Sequence, residues 1–125
     1  MILTGPDFVV RFPFEIKAIA ALNGLGETRG RELVYLQELQ PRQSMQSELQ
    51  GFSARASDYD FRLENRKTGA GVRQTGDRPM SKVNLWSPRT TICPEAFIDL
   101  RIKPGQESSW RIGYEFYQVA TYRVR

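Results

Sequence analysis

The sequence predicts an all-β fold, an antiparallel β-sandwich, and two observations carry that expectation. Apolar and polar residues alternate in short runs, and Gly, Pro, Asn and Asp punctuate those runs at close intervals. A third observation sets the scale: 125 residues, 40% apolar and 26% charged, suit one domain, residues 1–125, built around a single core. No internal repeat, linker or low-complexity tract divides the chain.

The first strand is expected at PDFVVRFPFE, with Phe8, Val10, Phe12 and Phe14 on one side and Val9, Arg11 and Pro13 on the other. From Glu15 to Leu22 the alternation of Ile16, Ala18, Ala20 and Leu22 favours strand, although alanine also suits helix. LNGLGETRG reads as a hairpin loop. RELVYLQEL alternates as a strand or forms a short helix, and Pro41 ends it. QPRQSMQSELQGFSARAS, polar and rich in glutamine, is expected to be a long loop with one helical turn. DYDFRLENR, GVRQT and MSKVNLWS follow as strands separated by turns at Lys67–Gly69 and TGDRP. After the loop RTT, a strand is expected in which Phe97, Asp99 and Arg101 alternate with Ile98, Leu100 and Ile102. SSWRIGYEFYQVATYRV closes the chain as a long strand.

The residue inventory removes whole classes of chemistry. There is no histidine, so Ser-His-Asp and Cys-His catalysis and His-ligated zinc are excluded. One cysteine, Cys93, forms no internal disulfide and builds no cysteine-based metal site. No run is long and apolar enough to span a bilayer as a helix, and no secretory signal is visible, so a cytoplasmic protein without a membrane role is expected. The net charge of +4 lies entirely in the second half: residues 1–57 carry 6 basic and 6 acidic residues, residues 58–125 carry 12 and 8. The basic residues are dispersed, which argues for solvated strand faces over a nucleic-acid surface.

Five residues stand out as candidates for a site. Glu95, after Cys93-Pro94, is placed to act as a general base or an acceptor for hydroxyls, or is a solvated loop residue. Asp58 and Asp60, two apart at a strand start, are expected on one face, where paired carboxylates bind sugar hydroxyls or a cation, or merely solvate the surface. Arg78 in GDRP either binds a ligand or pairs with Asp77. Trp86 is a stacking platform for a sugar face or a core residue. Cys93 reads as a small buried side chain.

The order of elements in the second half is similar to a known family. Asp58-Tyr59-Asp60-Phe61, Thr68-Gly69, Thr75 to Pro79, the strand VNLW, Glu95, and Ile102-Lys103-Pro104-Gly105 with Tyr114 and Phe116 resemble the closing strands of the galactose mutarotase-like (aldose 1-epimerase-like) superfamily over residues 58–117. The resemblance implies a carbohydrate-binding cleft in a β-supersandwich and no cofactor or metal. It makes Glu95 the catalytic base of an isomerase that interconverts sugar anomers, and Asp58 or Asp60 an acceptor of sugar hydroxyls; no family role attaches to Arg78 or Trp86, which are expected as neighbours facing the same cleft. The family's acid is a histidine, which this chain lacks. The resemblance therefore leaves three forms open: a fragment, a half that dimerises, or a sugar-binding relative without turnover. A half-supersandwich exposes strand edges and an apolar face, so self-association is expected alongside a monosaccharide ligand. The alternative is a structural or protein-interaction sandwich with no sugar.

Overall fold

The computed structural model describes residues 4–119. These residues form ten strands: β1 (Phe8–Arg11), β2 (Lys17–Ala18), β3 (Gly26–Arg29), β4 (Glu32–Tyr35), β5 (Ser44–Gln50), β6 (Asp60–Asn65), β7 (Ala70–Gly76), β8 (Lys82–Pro88), β9 (Cys93–Phe97) and β10 (Ile112–Gln118). They make two antiparallel sheets, a larger one ordered β10-β7-β6-β1-β4-β3 and a smaller one ordered β2-β5-β8-β9. The expected all-β antiparallel sandwich is what the chain forms. The one helix among the described residues is a single 3-10 turn at Ala56–Asp58, so none is long and apolar enough to cross a membrane.

Alternation decides which side chains meet between the sheets. Val10, Leu33, Tyr35 and Phe61 of the larger sheet meet Met45, Leu49, Val83 and Leu85 of the smaller, and Phe12, Phe14 and Ile16 continue the buried series beyond β1. Phe61 takes an edge-on contact from Phe12 at 5.2 Å and a stacked one from Tyr59 at 5.4 Å. The two-residue turn of the β3–β4 hairpin places Gly30 at φ +60°, a conformation that glycine adopts without Cβ strain.

The outer face of the larger sheet is polar but not bare. Val9 and Val34 pair there and are buried, so both faces of β1 lose water. Beside them Glu64 is only 5% exposed. It accepts a hydrogen bond from Tyr117 Oη at 2.7 Å, and Arg11 Nε lies 3.1 Å from its other oxygen. Tyr117 reaches it by crossing Gly71, where a Cβ would stand 2.5 Å from the ring.

The structure corrects several sequence expectations. QPRQSMQSELQ contains β5, an interior strand of the smaller sheet. Its inward row is Met45, Ser47 and Leu49, and the central polar member masks the period. Ser47 earns its place by accepting a hydrogen bond from Ala20 N and donating to the Glu48 carbonyl. The glycine-rich segment expected as a loop holds β3, while the expected strand at 15–22 shrinks to two residues. The strand expected to run from Phe97 onward ends there instead, because its partner β8 begins at Lys82. Pro94 sits within β9, which as an edge strand tolerates a missing N–H. Asp58 belongs to the 3-10 turn, so it and Asp60 do not share a strand face. The final strand begins at Ile112, after Trp110, and the part of it expected over 120–124 lies outside the described residues.

Candidate functional site

The outer face of the smaller sheet is assembled from alternate residues of three strands. Register places Trp86 between Gln46 and Cys93, and Asn84 between Glu48 and Glu95, as two adjacent cross-strand rows. Opposed side chains in such rows start roughly 5 Å apart and diagonal ones roughly 7 Å apart. Trp86 is 42% exposed, because its neighbours Val83, Leu85 and Ser87 take the inward positions of β8. Asn84 Nδ2 donates to Glu95 Oε1 at 3.1 Å, which fixes the carboxylate on this face. At one end of the face Lys82 Nζ lies 5.4 Å from the centre of the Phe97 ring.

Behind β9 the two sheets part. The larger sheet has six strands and the smaller four, and beyond the β9 edge a cleft of about 440 Å³ opens. Its floor is Tyr59, just before β6, with Gln74 and Tyr114 of the larger sheet and Ile112 at one side, and its wall is the β9 segment from Cys93 to Ala96. Gln74 Nε2 donates to Tyr59 Oη at 3.0 Å, and burial raises the Tyr59 phenol above its usual range against the opposing pull of that bond. Glu95 stands at the rim where the flat face turns into the cleft. The Cys93 thiol is pushed up by burial and then by the Glu95 charge, so at neutral pH it stays protonated.

Of the five residues singled out from the sequence, the structure brings Glu95 and Trp86 to one face and disperses the rest. Asp60 lies on the outer face of the larger sheet, held by Arg73 through two hydrogen bonds of 2.8 Å. Asp58 accepts a hydrogen bond from Ser53 N at 2.6 Å and closes the loop before β6. Arg78 does not meet Asp77; its guanidinium donates to the Ser109 carbonyl at 2.6 Å and ties the turn to the segment before β10. Asp77 is engaged by the Arg111 backbone N–H at 2.9 Å. Gln46, Asn84 and Glu48 complete the face and were missed, since Gln46 and Glu48 belong to the unrecognised strand β5. Among the described residues no three of Cys, Asp and Glu gather as a cation site.

Comparison with known proteins finds no matching family model, no matching curated protein and no matching solved structure.

Proposed function

We propose that this domain binds carbohydrate on the outer face of the smaller sheet, with Trp86 as the platform and Glu95 as the principal hydroxyl acceptor. One observation carries the reading: an indole 42% open to solvent, in the middle of a strand, sits beside amide and carboxylate side chains in adjacent rows. A pyranose presents an apolar face of C–H groups and a rim of hydroxyls. The indole covers the first, and Gln46, Asn84 and Glu95 offer acceptors and donors at the radius of the second. The amide of Asn84 holds the carboxylate in place before a ligand arrives, which lowers the ordering cost of binding. The resemblance of residues 58–117 to the galactose mutarotase-like superfamily favours the same ligand class and the same carboxylate, while the cleft that it implies, with Asp58 or Asp60 and Arg78 beside Glu95, is not assembled.

Binding without turnover is the form proposed. Anomer interconversion needs an acid that protonates the ring oxygen while the base takes the anomeric proton. The side chains around Glu95 on this face are Asn84, Trp86, Cys93 with its thiol held protonated, Phe97 and Lys82, whose Nζ lies over the Phe97 ring, and none is an imidazole. Calorimetric titration with a panel of neutral mono- and oligosaccharides tests the reading. Binding by the wild type and its loss in Trp86→Ala, with an unchanged circular dichroism spectrum, are expected. Equal affinity of the two proteins, or no sugar bound by the wild type, defeats it.

A further inference from the structure

We propose that β10 is a dimerisation strand, pairing antiparallel with β10 of a second copy about a two-fold axis at Gly113. The inference is independent of the sugar reading. It starts from the four sheet edges. β2 is two residues long, β3 carries Glu27 and Arg29 on four residues, and β9 contains Pro94, all features that discourage pairing. β10 is seven residues long, has no proline or lysine, and exposes Tyr114 at 62% and Phe116 at 82%.

The backbone of β10 is set for a partner. Asp77 N donates to the Arg111 carbonyl and Val119 N donates to the Gly69 carbonyl, so the odd-numbered residues turn their polar groups toward β7. Strand alternation then aims the N–H and C=O groups of Ile112, Tyr114 and Phe116 at the open edge.

The sequence around Gly113 is complementary to itself. With Gly113 opposite its copy, Ile112 meets Tyr114, and Trp110 meets Phe116, each pair occurring twice. Arg111 falls opposite Glu115, again twice, so opposite charges face each other on the other side of the sheet. This register makes the even-numbered pairs the hydrogen-bonded ones, in agreement with the backbone directions. Gly113 then occupies the closer, non-hydrogen-bonded position, where Cα atoms approach to about 4.5 Å and a missing side chain is an advantage. A two-fold axis perpendicular to the sheet keeps both inner faces on one side, so the apolar side chains of the two copies form one strip.

Sedimentation velocity of the full chain from micromolar to submillimolar concentration tests this, with Arg111→Glu, Glu115→Arg and the double exchange. The wild type is expected to reach twice the 14.4 kDa chain mass. Either single reversal places like charges opposite each other twice and weakens association about tenfold or more. The double exchange restores it. Tyr114→Pro removes an N–H that the β7 ladder does not use, so it is expected to stay folded and monomeric. A wild type that is monomeric throughout, single reversals that associate as wild type, a double exchange that fails to recover, or a Tyr114→Pro protein that still dimerises each overturns the proposal.

Discussion

Tyr35 shows how far a single residue is determined by its surroundings. It is buried in the core, and its hydroxyl lies 2.6 Å from Ser87 Oγ. Ser87 gives its own proton to the Thr91 carbonyl at 2.7 Å, so Tyr35 is the donor in the pair. Burial pushes the Tyr35 phenol up to about 12, with the Ser87 bond opposing in part. The folded state therefore keeps its proton where the unfolded chain, near 10.0, releases it. Stability from this group is intact below pH 10 and falls as pH rises from there through 12, by about 3 kcal/mol in all. Urea midpoints measured across that range should drop in the wild type and flatten in Tyr35→Phe, which itself costs about 1 kcal/mol at neutral pH. At the proposed sugar face the residue-scale expectation is different in kind. Glu95→Gln leaves the Asn84 contact possible and the fold intact, and weakens sugar binding about tenfold through loss of a charged acceptor, read by the same calorimetry.

At the scale of the element, β7 is informative because rings replace side chains on it. Tyr117 covers Gly71 on the outer face and Tyr59 covers Gly76 on the inner one, with a Cβ at 76 lying 2.3 Å from the Tyr59 ring. Gly76→Ala is expected to displace a ring that is buried and stacked on Phe61, destabilising by about 2 kcal/mol in chemical denaturation. Gly71→Ala moves Tyr117 off the buried Glu64 carboxylate and costs a comparable amount. These elements also mark what the sequence discloses. Strands with two successive inward apolar residues, such as the one carrying Phe61 and Leu63 or that carrying Val83 and Leu85, declare their period openly. β5 does not, because Ser47 fills an inward position with a hydroxyl that the backbone of a distant loop satisfies. β9 is hidden by a proline that is harmless only at a sheet edge, and edge position is decided by tertiary pairing. Glu95 and Trp86 were legible as residues of interest, but Gln46 and Asn84 join them only through the β5–β8–β9 register.

At the scale of the molecule, the mismatch between a six-stranded and a four-stranded sheet organises everything outside the core. It opens the cleft beyond β9, leaves Tyr114 and Phe116 of β10 exposed, and sets Glu95 at the junction between cleft and flat face. On the proposed reading, sugar lies on the flat side of that junction, over Trp86. Titration of the ¹⁵N-labelled protein with sugar, followed by amide and indole shifts, tests it most directly. The Trp86 indole N–H and the Gln46 and Asn84 side-chain amides are expected to move, with Asp60 and Arg73 unmoved on the far sheet. Shifts centred on the far sheet or on β10, or a spectrum that sugar leaves unchanged, would contradict it.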